Sequence, residues 1–267
     1  MLTAVKKYFR FFKENMKCNF KSIAEYKSSF FIQAIFMFLN NAFFLLFWGV
    51  VLDVSGDQAG DITLNKILYI WSLPVISYGV AFFFFGGIRD LGRHILEGTL
   101  DVYLTQPKNV ILNVMCSRME FAAGGDLVYG IVIGLIATNF DLLRFLFLVL
   151  LGVLGAVFYI CVETILRLLT IFIGNTDNIE HTYINTLMIS FASYPSEIYG
   201  NGIKFLIYTI IPSAYISFVP IDFVITFNIK YLLLFFVAAA IFIGITVALT
   251  KFALKRYESG NSISLRS

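Results

Sequence analysis

The chain has 267 residues, of which 59% are hydrophobic, 17% aromatic and only 14% charged, with a formal net charge of +3. Soluble domains run nearer a quarter charged. The few charges here are too clustered to make the polar shell of a soluble core, and long apolar runs between short charged patches fit a chain whose solvent is mostly lipid.

In chain order, Leu2, Val5, Phe9, Phe12, Met16, Phe20 and Ile23 recur at spacings of three and four, which predicts one apolar helix face over 1–27. Lys6, Lys7, Arg10, Lys13, Lys17 and Lys21 lie between them, the pattern of a basic amphipathic helix in the lipid headgroup layer. Six spans are then expected, at about 28–52, 66–87, 112–138, 145–173, 181–194 and 230–250. Asn40 and Asn41 sit mid-way along the first and are expected to face other helices. An acidic loop, with Asp53, Asp57 and Asp61, follows it. The second carries Pro74, which neighbouring helices can accommodate, and ends at Gly86 and Gly87. The third carries Arg118, Glu120 and Asp126 in its first half and Gly130 and Gly134 in its second, a spacing that lets another helix come close. A tight turn at 139–144 leads to the fourth, and the fifth is short. The segment 195–229 contains Pro212 and Pro220, and its longest apolar run is too short to cross. A basic, polar tail covers 251–267. The core domain is thus 28–250.

With the N-terminus inside, sixteen of the twenty basic residues fall on cytosolic segments, which places both termini in the cytosol under the positive-inside rule. Cys18, Cys116 and Cys161 are odd in number and lack metal-ligand spacing, so they read as unpaired thiols.

The pattern search for chemistry finds no phosphate-binding GxxxxGK[ST] loop, no HExxH, no CxxC and no GxSxG. His94 and His181 have no partner at ligand spacing. No loop interleaves basic residues with aromatics, so nucleic-acid binding has no support. Glu163 and Arg167, four apart on the fourth span, share one helix face. They read as a structural ion pair, or as a polar link to a neighbouring span or a transport path. The cytosolic loop 88–108 holds Arg89, Arg93, Glu97 and Asp101 at intervals of four. Leu96, Leu100, Tyr103 and Leu104 lie on its other side, as in a short amphipathic helix that packs on the spans and offers charges to a soluble partner.

Four stretches carry a resemblance. Residues 96–107 (LEGTLDVYLTQP) resemble the GxLDxxLxxP stretch of a bacterial branch of type-2 ABC exporter permeases. Residues 194–199 (YPSEIY) and 211–220 (IPSAYISFVP) are similar to that branch's extracellular region, and 255–260 (KRYESG) to its C-terminal ending. The resemblance implies an all-α integral membrane fold of six helices with an N-terminal interfacial helix. It also implies a re-entrant extracellular hairpin before the last span, built around Tyr194, Pro195, Tyr199, Pro212 and Pro220. The loop 88–108 becomes the coupling segment, with Arg89, Arg93, Glu97, Leu100, Asp101 and Tyr103 facing a separate ATPase. Two permeases, alike or related, and two ATPase subunits make the exporter. ATP and Mg belong to the partner, this chain needs no cofactor, and the home is the bacterial cytoplasmic membrane. The substrate class stays open among lipids, peptides and amphipathic drugs. Gly200 departs from the branch, which often has proline there. Two other functions compete: an intramembrane acyl or glycosyl transferase, for which Glu120, Asp126 and His94 would have to converge, and a passive channel or scaffold.

Overall fold

A computed structural model of the chain describes residues 2–25, 27–56 and 62–258, without the side chains of 2–5, 8, 22–25, 27–30 and 34. Asp57, Asp61 and the tail from Ser259 onward lie outside the described residues, as do the side chains of Leu2, Val5 and Ile23. Among the described residues there is no strand. The helices are α1 (Leu2–Glu25), α2 (Lys27–Ser55), α3 (Leu64–Phe85), α4 (Leu91–Leu96), α5 (Asp101–Leu104), α6 (Val110–Met115), α7 (Ala122–Ala137), α8 (Leu142–Leu168), α9 (Thr170–Ile173), α10 (Asp177–Glu180), α11 (Ile189–Ser193), α12 (Asn201–Thr209), α13 (Ser213–Ile216), α14 (Phe218–Thr226) and α15 (Ile229–Arg256). A π-helical stretch, His181–Met188, joins α10 to α11.

Four of these helices are long and apolar enough to cross a membrane, or five if the bent pair formed by Asn201–Thr209 and Ser213–Thr226 counts as one span. Local chemistry starts the long ones. The Thr63 hydroxyl accepts from the Lys66 amide at 3.3 Å to open α3. Asp141 Oδ1 accepts from the amides of Leu143 and Arg144 at 3.0 and 3.2 Å to open α8, and Asn228 Oδ1 accepts from Lys230 to open α15. Lys255 and Arg256 in the last turn of α15 favour its negative end.

The buried centre is α3, packed between α7 and α8. Ile76 of α3 is fully buried between two glycines: a Cβ on Gly130 of α7 would lie 2.7 Å from Ile76 Cγ1, and one on Gly152 of α8 would lie 2.7 Å from Cγ2. Helices that lack a side chain at such points can approach to backbone distance, which dispersion then rewards. The Ser77 hydroxyl also donates to the Gly152 carbonyl at 2.8 Å. By contrast, α2 and α15 keep most of their apolar side chains on the outer surface. α15 packs on α8 through Phe158, which meets Phe235 and Phe242 edge-on with ring centroids 5.5 and 5.6 Å apart. α1 lies under the end of α3, with Phe12 against Phe84 and Phe85 and Phe20 against Phe83, while its basic residues are exposed.

The expected third span is corrected at its start. Helix α6 ends at Met115 and α7 begins at Ala122, so Arg118 and Glu120 lie in an irregular connection and not in a spanning helix. The connection is held by backbone bonds to the end of α3: the Gly87 amide donates to the Arg118 carbonyl at 2.8 Å, and the Glu120 amide donates to the Phe82 carbonyl at 3.1 Å. That leaves α7 with 16 residues, about 24 Å at 1.5 Å per residue. Asn40 is exposed, and only Asn41 turns inward.

Pro220 is a second correction. It does not break a helix; it is the third residue of α14, in the first turn, where a missing N–H costs nothing. The bend of 73° falls instead between α12 and α13, at Pro212.

Candidate functional site

Two regions gather the residues singled out by the sequence. The first is the segment between α3 and α7. Gly98, at φ +72°, breaks the segment into α4 and α5, so the four charges do not form one stripe. Arg89 is turned inward. Its Nη1 donates to both oxygens of Glu120 at 2.9 and 2.6 Å, its Nη2 donates to the Tyr78 hydroxyl at 2.7 Å, and its guanidinium lies 3.8 Å from the centroid of the Phe82 ring. Burial works against its charge, but Tyr78 and Glu120 raise its pKa above the ordinary arginine value. Arg93 and Glu97 are exposed, Arg93 pairing with Asp90, which also pairs with Arg118 at 2.8 Å. Leu100 is fully buried, whereas Leu96 and Leu104 are exposed. Asp101 and Tyr103 are half-buried. His94 meets Thr99 Oγ1 at 2.8 Å, and burial lowers its pKa below the ordinary imidazole value.

Glycines seat this segment on the bundle. A Cβ on Gly87 would collide with the Val114 carbonyl and lie 2.5 Å from the Ser117 hydroxyl. A Cβ on Gly92 of α4 would lie 3.2 Å from Thr170 Oγ1 and 3.4 Å from Arg167 Cδ. The segment therefore rests directly on the end of α8. The end of α15 borders it as well: Arg256, Tyr257 and Glu258 line a cavity of about 410 Å³ together with Ile95, Leu96 and Thr170. Burial, then the neighbouring Asp101 carboxylate, pushes the Tyr257 phenol up to about 12.

Arg167 is more than one half of a pair. Its Nε donates to Glu163 Oε1 at 2.8 Å, its Nη2 to Glu180 Oε2 at 2.9 Å, and its Nη1 to Asp177 Oδ1. Glu163, Arg167 and Glu180 are each buried. The cluster ties the end of α8 to α10 across a short loop that turns at Gly174, φ +80°, a left-handed conformation that glycine takes without strain. Asp177, Glu180 and Glu120 were not visible as partners in sequence. Asp177 and Glu180 follow Arg167 at spacings of ten and thirteen, and Glu120 follows Arg89 at thirty-one, beyond any helical periodicity.

The second region is 194–226, beside the start of α3. Tyr194 packs on Phe44 and Trp48 of α2, with centroids 6.2 and 5.9 Å apart. Pro195, Pro212 and Pro220 are buried. The Tyr199 hydroxyl donates to the Phe191 carbonyl at 3.3 Å. Tyr215 of α13 stacks on Phe158, well inside α8, at 5.5 Å. The hydroxyls of Ser213 and Ser217 donate to the carbonyls of Met188 and Ile70 at 3.0 and 3.4 Å. Lys66 pairs with Glu197 at the surface; burial pulls the Glu197 carboxyl upward, but the Lys66 ammonium holds it below the usual range. Gly200 has φ −69° and ψ 165°, values open to proline.

Glu120, Asp126 and His94 are each held by a different partner, respectively Arg89, Asn41 and Thr99. The three cysteines are free, Cys18 exposed and Cys116 and Cys161 buried.

The family model described as "ABC-2 family transporter protein" matches residues 38–261. No curated protein matches the chain, and no solved structure does.

Proposed function

The chain belongs to the ABC-2 transporter family, as a multi-pass membrane permease subunit that works with an ABC ATPase, and from that premise we propose that it is one half of a permease pair in an exporter whose coupling surface is the 89–104 segment. Two such chains, identical or related, pair in a bacterial cytoplasmic membrane, and the partner ATPase supplies the ATP and Mg. Each chain crosses six times: α2, α3, α7, α8, the helix from α10 to α11, and α15. The two short crossings are tolerated because they pack on protein on most sides. Both termini and the coupling segment are cytosolic, and α1 lies in the headgroup layer beside lipid. The segment 195–229 is a re-entrant hairpin on the outer side. Its 73° bend at Pro212 and the embedded Tyr215 support that reading. The cargo is an amphipathic molecule moved outward.

One observation carries the coupling role: α4 is seated by Gly92 on Arg167, and Arg167, paired with Glu163 on its own helix, joins α8 to α10 through Asp177 and Glu180. A push on α4 thus reaches two spans without passing through flexible chain, while Arg93 and Glu97 remain outside for a partner. Exposed charges set partner choice, and buried apolar anchors carry affinity. The test is the double variant Glu97→Lys, Asp101→Lys, co-expressed with its ATPase. The expected outcome is a folded permease with weakened ATPase capture, or ATP hydrolysis that no longer drives export. Normal capture together with normal export would place the coupling surface elsewhere.

A further inference from the structure

Between α2, α3, α7 and α8 lies a cavity of about 190 Å³, which shares Tyr78 with the contacts of Arg89. Its wall includes Asp126, which is only 7% exposed. Asn41 Nδ2 donates to Asp126 Oδ1 at 2.6 Å, and among the described residues no basic side chain pairs with that carboxylate. A carboxylate at this depth costs several kcal/mol unless something complements it, and such residues mark ligand or ion paths. Two more polar atoms in the same wall are buried without a partner, the Tyr159 hydroxyl and the Trp71 indole N–H. Unsatisfied polar groups are rare in native interiors, and two of them beside a buried carboxylate without a cation, all around one cavity, are unlike a cavity that exists only as a packing defect. The remaining wall is aromatic, with Trp71, Tyr78 and Tyr159. Trp71 is held in place by Phe44, stacked at 3.9 Å.

We infer that this cavity is the headgroup site for a protonated amine carried by an amphipathic molecule. The inference rests on the permease reading above and names the cargo of that permease. A carboxylate beside aromatic faces is the chemistry that recognises an ammonium group, by charge at Asp126 and by attraction to the ring faces. The ammonium donates to the free Asp126 oxygen and to the Tyr159 hydroxyl, which accepts. The volume is below the roughly 300–1,000 Å³ that encloses a whole drug-sized ligand, so it takes the headgroup alone. Asn40, which lines the cavity, is exposed on the outer side of α2. The opening therefore lies beside the apolar face that carries Phe36, Leu39 and Phe43, where an alkyl tail can lie. Tyr78, in the cavity wall, accepts the hydrogen bond from Arg89, so the occupied headgroup site is one residue away from the 89–104 segment.

The experiment is equilibrium binding of radiolabelled n-octylamine to the full chain in lipid nanodiscs, with empty nanodiscs subtracted, and with n-octanol as the neutral competitor of equal length. Binding is read with and without the ATPase attached, so failure of ATPase capture and failure of amine binding are seen separately. The expected result is saturable binding that n-octanol does not displace. Asp126→Asn should weaken it at least tenfold. Tyr159→Phe, which removes a hydroxyl with no partner and so leaves folding intact, should weaken it several-fold at an unchanged thermal midpoint. Equal displacement by n-octanol, or unchanged binding in Tyr159→Phe, would overturn the inference even where the ATPase complex forms normally.

Discussion

Where α3, α8 and α15 finish, charges and glycines do the joining: Arg89 with Glu120, Arg118 with Asp90, Arg167 with three carboxylates, Gly87 against the backbone of Val114 and Gly92 against the side chains of Thr170 and Arg167. Where α3 begins, the 194–226 region is joined by aromatic rings and hydroxyl-to-carbonyl bonds, and its one ion pair among the described residues, Lys66 with Glu197, is at the surface. Buried ion pairs and glycine contacts admit a single geometry, because a small displacement leaves a charge unpaired or forces a steric clash. Ring stacks and serine hydroxyls tolerate sliding. The difference teaches that the first end is held in one geometry and the second can slide, which is what the proposed coupling and hairpin roles require.

The sharpest break in that comparison comes from one ion-pairing cation at each end, Arg167 and Lys66. Arg167→Met leaves Glu163 and Glu180 buried without their cation and should destabilise the protein by about 3–5 kcal/mol, seen as a large fall in thermal midpoint or loss of folded yield. Lys66→Met, in a partly exposed pair, should cost less than about 1 kcal/mol. Comparable losses from both would remove the distinction between the ends.

The glycines give the next contrast. Gly87→Ala places a methyl group against the Val114 carbonyl and should cost about 1–3 kcal/mol through overpacking. Gly202→Ala, on α12 with open space around it, should be neutral or stabilise by up to about 1 kcal/mol from helix propensity. Paired thermal melts decide this, and equal melting of the two variants would contradict the close seating of the 89–104 segment.

The smallest effect sharpens the account of the hairpin. Gly200→Pro fits the existing φ of −69°, and Tyr199 before it is already extended at φ −91°, ψ 129°. Loss of unfolded-state freedom should then stabilise by about 0.4–1 kcal/mol. A fall in thermal midpoint would show that the turn into α12 needs glycine.

How much of this was written in the sequence depends on range. The long apolar runs located α2, α3, α8 and α15 to within a few residues, because the cost of unpaired polar groups in lipid leaves a long helix little choice. The Glu163–Arg167 contact was legible because i,i+4 is local. Its extension to Asp177 and Glu180, the Arg89–Glu120 pair and the Asn41–Asp126 bond were not, since each depends on which helices become neighbours. The span start at 112 was placed too early because apolar content continues through α6, and nothing local announces that 116–121 leaves the helix to bond the end of α3. The stripe of four charges was over-read for the same kind of reason: period alone cannot register Gly98 turning the chain or Arg89 finding a partner inside.

The most direct test of the central claim asks which end meets the ATPase. In a variant with Cys18, Cys116 and Cys161 replaced, single cysteines at Glu97 and at Glu197 are treated with a thiol-to-amine cross-linker in membranes that also contain the ATPase. The account predicts capture of the ATPase from position 97 and none from position 197. Capture from position 197, or none from position 97 in a complex that co-purifies, would contradict it.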